Sequence, residues 1–566
     1  MALDGDSQSN GAERLIGALA RAGAEHVFGM AGTQNVALLE AVRRSRLSMT
    51  FATHELAASF MANGYGRTRG RPGVLCTIPG PGFTYALTGL AEAYLDSAPL
   101  LHIVGSPATA PGKCFQLQAI DQAAIARPVT KAVVQVDAPA DMADAAQEAY
   151  RLTMTGEPGP VMLQVSPSAL GDTAPAPTAT ARVHVPARPS REALEQAVAR
   201  LSQAHRIVIY AGQGTAFEPE ALLRLAEALG AVIATTTSAR GVVPEDHPLL
   251  VRSDGDSARL IRLLDHADLV LALGVKFSHN GAHGFRLPLD PARLIHVDAS
   301  REVLEGHFEA GHAIECDVPA FMRELLPLLP ARADTGWQRA ARTMADDSPP
   351  PGFFLEPAIP AASPPVPAGF FAMLREAMPR EAILVTDAGL HQSLARKHFP
   401  IYSPRGLLVP TGLQSMGFCL PAAIGAKIAE PTRPVVALIG DGGISMAGME
   451  LLTAVRERIP LTVIVFNDGY YGLIRLQQLE RYGHAPGGEV LNPDFAQWAA
   501  SLGVEHRHFD GMASLRAALA ARRPTMLEVD VRDSGRIQVQ RIKSLARETL
   551  KDVKGPLMRV WRRPQT

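Results

Sequence analysis

Short runs of β-branched and aliphatic residues recur along the chain, separated by longer stretches in which Ala, Leu, Glu and Arg repeat with helical spacing. The first group is "HVFGM", "MTFAT", "GVLCTI", "LLHIVG" and "VMLQV", and the second is "RIVIYAG", "AVIATTT", "LVLALG" and "RLIHVDA". The last is "AILVTDAG", "VVALIG", "LTVIVF" and "TMLEVDV". Apolar runs without polar alternation, joined through helical patterns, predict parallel strands covered on both faces by crossover helices. The expected fold class is therefore α/β, built from doubly wound parallel sheets.

Two stretches break the alternation, 171–190 and 347–369, because their Pro and small residues disfavour regular packing. They divide the chain into three expected domains, 1–170, 190–346 and 370–532, with a basic and partly helical arm at 533–566. The first and third are alike in length and strand number, which permits a duplicated module.

Composition narrows the partners. With 566 residues and 47% hydrophobic content the chain can bury a core in each of three domains. Lys plus Arg number 55 against 56 Asp plus Glu, which excludes a basic field for nucleic acid or an anionic membrane and leaves small molecules as the default partner. Cys76, Cys114, Cys316 and Cys419 form no CxxC pair, so neither a disulfide framework nor a structural zinc site is expected. The start has no basic segment followed by an apolar core, and no apolar run approaches the roughly 18 residues of a membrane span. A cytoplasmic protein with no membrane partner is expected.

The candidate chemistry lies in "ALIGDGGISMAGMELLTAVRERIPLTVIVFNDGYYG", residues 437–472, where Asp441 and Asp468 each follow an apolar run. Open parallel sheets bind ligands at the carboxyl ends of their strands. Gly440, Gly442 and Gly443 would let the backbone approach a phosphate, but Asp441 would repel one unless a cation stood between them. Two carboxylates, a main-chain carbonyl and phosphate oxygens make the oxygen-rich shell that Mg²⁺ prefers. A turn explains "GDG" alone; a second acid 27 residues later, also after a strand, points to a metal-bridged diphosphate.

A GDG run followed at this interval by an Asn/Asp pair resembles the motif of the thiamine-diphosphate-dependent enzymes, and nearly the whole chain is similar to their acetolactate synthase branch. The resemblance extends through "GAERLIGALARAGAEHVFGMAGT", "ATHELAASFMANGYGRTRGRPG", "IPGPGFTYALTGLAEAYLDSAPLLHIVG", "RPVTKA", "DAGLHQSLARKHF" and "GLQSMGFCLPAAIGAKIA". It implies pyrimidine-binding, central and diphosphate-binding domains. It also implies thiamine diphosphate and Mg²⁺ as cofactors, held between the first domain of one subunit and the third of another in a homodimer or homotetramer. Glu55 matches the carboxylate that hydrogen-bonds the aminopyrimidine and promotes proton removal, a role that burial would favour. A helix-start acid stabilised by the dipole accounts for Glu55 equally well on sequence alone.

The same resemblance assigns Met416 to the wedge beneath the cofactor. Gly389, His391, Gly442, Gly443, Tyr470, Tyr471, Gly472 and Leu473 fall beside the diphosphate, and Asp441, Asp468 and Tyr470 around the metal. Thr33, Gln34, Gln118, Ile474 and Gln477 fall in the substrate pocket. Met416 is also an ordinary core methionine by type, and His391 an ordinary helix-start histidine.

Departures from the pattern bear on specificity. Asp468 stands where Asn is commoner, Tyr85 where Asn is usual, Ala119 where Glu is common, and Gln477 where a tryptophan shapes the acceptor pocket. The expected reaction is decarboxylation of a 2-oxo acid, pyruvate foremost, and transfer of the two-carbon unit to an acceptor carbonyl. The alternatives are a simple decarboxylase, a C–C hydrolase and a cofactor-binding regulatory paralogue. In the central domain "IVIYAGQGT" resembles a dinucleotide turn, a weak signal alone that leaves FAD as an open alternative to a vestigial pocket.

Overall fold

The computed structural model describes residues 9–107, 113–174, 185–253, 257–330, 336–346 and 366–531; the expected C-terminal arm and most of the second linker lie outside them. Every apolar run named above is a strand, and the strands form three parallel sheets. The first sheet runs Ser48–Phe51, His26–Gly29, Gly73–Thr77, Leu100–Gly105, Pro160–Val165, Ala132–Val136. The central one runs Val232–Thr235, Ile207–Ala211, Leu269–Leu273, Leu294–Asp298, His312–Glu315. The third runs Leu407–Leu408, Ile383–Thr386, Val435–Gly440, Thr462–Asn467, Thr525–Asp530, Glu505–His508. An antiparallel pair, Ser9–Asn10 with Thr173–Ala174, closes the first domain.

Within the three parallel sheets, the strands that the hydrophobic pattern did not mark are Ala132–Val136, His312–Glu315, Leu407–Leu408 and Glu505–His508, and each is a sheet edge. His312–Glu315 and Glu505–His508 carry polar residues, as edge strands can, so the continuous apolar run is lost there, while Leu407–Leu408 is only two residues long.

The first and third domains share a core across two helices, Glu55–Arg69 and Cys419–Ala429. Their backbones come so close that a Cβ on Gly64 would lie 2.2 Å from the Ala422 carbonyl oxygen, and one on Gly425 would lie 2.0 Å from that of Met61. Phe60 meets Phe418 edge-to-face at 5.4 Å, and full burial of such rings contributes about 1.5–3 kcal/mol each. A buried Arg67–Asp96 ion pair at 3.1 Å lies at the same boundary, with Arg67 also donating to the Val409 carbonyl at 2.8 Å. The start of the first helix, where Glu55 stands, is thereby fixed relative to the third sheet. Among the described residues no helix is long and apolar enough to cross a membrane.

Candidate functional site

The strands Val435–Gly440 and Thr462–Asn467 are hydrogen-bonded neighbours, so the acids that follow them emerge side by side. Above their carboxyl ends lies a cavity of ≈ 530 Å³. Its wall contains Gly389, His391, Met416, Asp441, Gly442, Gly443, Asp468, Tyr470, Tyr471, Gly472, Leu473 and Ile474, residues scattered over 86 positions of sequence.

Asp441 is buried, and its carboxylate is already a three-fold acceptor. Oδ1 takes the Gly442 N–H at 2.9 Å, while Oδ2 takes the Gly469 N–H at 2.7 Å and the Asn492 side-chain amide at 2.7 Å. About four lone-pair sites are available on a carboxylate, so one direction remains. Asp468 Oδ1 accepts from the Tyr470 N–H at 2.9 Å. Burial raises the Asp441 carboxyl, and burial followed by the charge of Asp441 pushes Asp468 up to about 7. Two carboxylates held together in a poorly solvated place repel each other, and a divalent cation is the ligand that neutralises both. The donor set therefore fits Mg²⁺.

The remaining wall fits an anionic, phosphate-bearing ligand. His391 is buried, its pKa lowered to about 4 by burial, and Nε2 has no hydrogen-bond partner. A buried polar atom facing a cavity without a partner is costly unless a ligand meets it. Gly389 has φ +145°, a conformation that excludes other residues, and a Cβ there would lie 2.8 Å from the His391 ring. A Cβ on Gly442 would meet Tyr471 at 2.6 Å and the Met416 methyl at 3.2 Å, and one on Gly472 would lie 2.4 Å from Asp468 Oδ2. The three glycines keep the floor of the cavity open and hold the acid in place.

The first-domain residues gather separately. Glu55 opens its helix after the strand Ser48–Phe51, buried, and a Cβ on Gly82 would lie 3.2 Å from its Oε1. Gln34 donates to Gln118 Oε1 at 2.7 Å, and exposed Thr33 precedes Gln34. These four residues share the carboxyl edge of the first sheet, but none of them lines the cavity of the third domain. Ile474 is half exposed at the cavity mouth; Gln477 is exposed and does not line it.

Three further residues of the site were not singled out in the sequence. Asn492 comes from a loop whose Val490 N–H bonds Gly469 O at 2.9 Å, bringing its amide onto Asp441. Asn467 directly precedes Asp468 and bonds Asn492 at 3.0 Å. Asp387, wholly buried and pushed up to about 7 by burial, accepts from the N–H groups of Gly417 at 2.8 Å and Cys419 at 3.1 Å, which sets the turn that presents Met416. A buried acid after a strand was the available signal for Asp387; nothing in sequence spacing indicates a loop returning to Asp441.

Three family descriptions match the chain: "Thiamine pyrophosphate enzyme, N-terminal TPP binding domain" over residues 9–125, the central domain over 194–325 and the C-terminal TPP binding domain over 387–529. Acetolactate synthase isozyme 1 large subunit of Escherichia coli is 31% identical over 92% of this chain and 94% of its own length. A probable 2-ketoarginine decarboxylase, AruI, of Pseudomonas aeruginosa is 32% identical over 90% of this chain and 91% of its own. A probable acetolactate synthase large subunit of Methanocaldococcus jannaschii is 30% identical over 92% and 91%.

Proposed function

Since the chain belongs to the thiamine diphosphate (pyrophosphate) enzyme family, we propose that it decarboxylates a short 2-oxo acid, pyruvate foremost, and joins the two-carbon unit to an acceptor carbonyl. The observation that carries this reading is the pairing of Asp441 and Asp468 beside the unpartnered Nε2 of His391 in one cavity. Thiamine diphosphate, when bound, supplies the electron sink for the decarboxylated fragment. Asp441, Asp468 and the Tyr470 carbonyl would hold Mg²⁺ against the diphosphate, with the Gly442 and Gly443 backbone and His391 beside its oxygens. Met416 would support the cofactor from below. Glu55 would exchange a proton with the aminopyrimidine and orient it.

In this reading Glu55 is delivered by another copy of the chain, which the walling of the cavity by third-domain residues supports. Exposed apolar residues support this arrangement: Tyr85, Leu117 and Ile120 near the Glu55 edge, and Met446, Met449 and Leu452 beside the cavity. The proposed unit is a homodimer, or a homotetramer of two such dimers.

The wall offers Met446, Leu473, Ile474 and Leu476 together with Arg475, whose guanidinium stacks over the Tyr470 ring at 3.8 Å. That composition suits a short anionic donor over a donor with a cationic side chain. Tyr85, in contact with the His54 ring at 4.8 Å, would narrow the approach from the pyrimidine side.

For FAD the central domain is a poor fit. The glycines of "AGQGT" serve the chain's own packing, since a Cβ on Gly212 would lie 1.9 Å from Gly274 O and one on Gly214 would lie 2.9 Å from Gly274 Cα. In the neighbouring cavity Lys276 is spent on Glu157 at 2.7 Å. Buried unpaired Cys76, Cys316 and Cys419 support a reducing, cytoplasmic setting.

Mass spectrometry of products tests the reading: purified protein with Mg²⁺, thiamine diphosphate and pyruvate, with and without aldehyde and ketone acceptors. New C–C products that require both cofactors are expected. Acetaldehyde alone, at every acceptor concentration, would replace carboligation with simple decarboxylation.

A further inference from the structure

On the far side of the third sheet from Leu407–Leu408, the edge strand Glu505–His508 pairs with Thr525–Asp530 in parallel register, His506 opposite Met526 and His508 opposite Glu528. Side chains two apart on a strand share a face, so both imidazoles lie on the face that Glu528 occupies. His506 Nε2 is 3.0 Å and His508 Nδ1 is 3.5 Å from Glu528 Oε2, and the two rings are 4.7 Å apart. Among the described residues this is the one group of three His, Cys, Asp or Glu side chains whose ligand atoms all lie within 4.8 Å of one another.

We propose that His506, His508 and Glu528 form a second cation site, separate from the Asp441–Asp468 pair, that takes a borderline transition metal of the Zn²⁺ or Co²⁺ class. Two imidazoles and a carboxylate are donors for such ions and not for Mg²⁺, which prefers oxygen and waters. Metal–ligand bonds of about 2.0–2.1 Å in a tetrahedron separate the ligand atoms by about 3.3 Å, so the 3.0 and 3.5 Å distances to Glu528 require little movement, and the two imidazole nitrogens, within 4.8 Å of each other, need only a turn of the exposed His508 ring.

The carboxylate is oriented in advance. Glu528 Oε1 accepts the Asn467 side-chain amide at 2.7 Å, which turns Oε2 toward the histidines. Such a bond to a ligating carboxylate is the outer-shell support that metal sites use. His506 and Glu528 are mostly buried while His508 is exposed, so the group has a fixed floor and an entry path. The support continues inward, because Asn492 bonds Asn467 at 3.0 Å and Asp441 at 2.7 Å. An ion held by Glu528 would therefore sit three hydrogen bonds from the Asp441 carboxylate.

The test is a Co²⁺ titration of the full chain, kept in saturating thiamine diphosphate and excess Mg²⁺, and read by visible d–d absorption. One equivalent of Co²⁺ with the strong bands of a low-coordinate site is expected, displaced by Zn²⁺. His508→Ala, a change at an exposed position, should weaken binding at least about 10-fold, the lower end of what disturbing such a site costs; Glu528→Gln should do the same. Cys114→Ser should leave the titration unchanged. Absence of the bands, equal affinity in His508→Ala, or loss of binding in Cys114→Ser would each overturn the assignment.

Discussion

The Thr53 main-chain N–H donates to Glu450 Oε1 at 3.0 Å, a bond that joins the residue two before Glu55 to the segment that follows the Asp441 turn. The Thr53 hydroxyl reaches the same oxygen, and Thr453 Oγ1 holds the other at 2.6 Å. The strand end of the first domain is thus anchored on a buried acid of the third. Hydrogen bonds to a charged group are worth about 1.5–3 kcal/mol, enough to set where the Glu55 helix begins. Glu450→Ala should loosen 52–54: the Thr53 amide is expected to exchange at least about 10-fold faster in hydrogen-exchange mass spectrometry. Unchanged protection in the variant would show that the helix packing alone fixes this segment.

Glu55→Gln keeps the shape and one hydrogen bond but removes the exchangeable carboxyl proton. Thiamine diphosphate should still bind, whereas C2 hydrogen–deuterium exchange followed by NMR should slow by roughly 100-fold or more, the usual size of lost general acid–base catalysis. Exchange at the wild-type rate would remove Glu55 from the activating role.

Asp441→Ala takes away the acceptor on which Gly442, Gly469 and Asn492 converge, together with one proposed metal ligand. Calorimetric titration with thiamine diphosphate and Mg²⁺ should give no measurable binding, while far-UV circular dichroism stays that of the wild type. Retained affinity would dissociate the acid pair from the cofactor.

The acid pair was legible in the sequence because it follows from local rules: a continuous apolar run predicts a buried parallel strand, and a strand end is where such a sheet meets its ligand. Gly442, Gly443 and Gly472 were legible for a related reason, since close approach selects glycine. Asn492 was not, because its place beside Asp441 depends on a loop pairing with 469–471 that no periodicity encodes. The polar edge strand Glu505–His508 was invisible to a hydrophobic pattern, and with it the register that sets His508 opposite Glu528. The expected placement of Glu55 and the acids on different subunits was a product of the family resemblance, not of any pattern in the residues themselves.

Glu92 gives a pH prediction at the boundary between the first and third domains. It is fully buried, accepts the Ser415 N–H at 3.0 Å, and is pushed up to about 7 by burial and then by the charge of Asp96. The native state holds this proton more tightly than the unfolded chain, where a Glu has its ordinary value near 4.5. Its contribution is therefore complete below pH 4.5 and is lost as pH rises toward 7, with a slope of at most about 1.4 kcal/mol per pH unit for one proton. Glu92→Gln is neutral throughout and can still donate toward Asp96. Scanning fluorimetry should find the variant no more stable than wild type at pH 5 and more stable at pH 8. Parallel Tm profiles would mean that Glu92 is ionised in the native protein across the range.

The last prediction concerns acceptor size. On the helix Gly472–Tyr482, Ile474 lines the cavity mouth and Gln477 lies three residues further, the spacing at which helical side chains stand next to each other. Both are exposed, so a larger side chain at 477 has room to lie across Ile474 without disturbing the core. Gln477→Trp should shield the mouth with an indole and reduce the volume open to a second substrate, while a short donor such as pyruvate still passes. Loss of that volume should lower kcat/KM for bulky ketone or aldehyde acceptors relative to small ones by roughly 10- to 200-fold, the range a pocket-wall change of about 1–3 kcal/mol produces. Competition between one small and one large acceptor in the same vessel measures the ratio directly. Ile474→Trp, placed on the wall itself, should shift it in the same direction and at least as far. If the ratio moves with Ile474→Trp and not with Gln477→Trp, the acceptor enters on the other side of this helix and Gln477 has no part in selecting it.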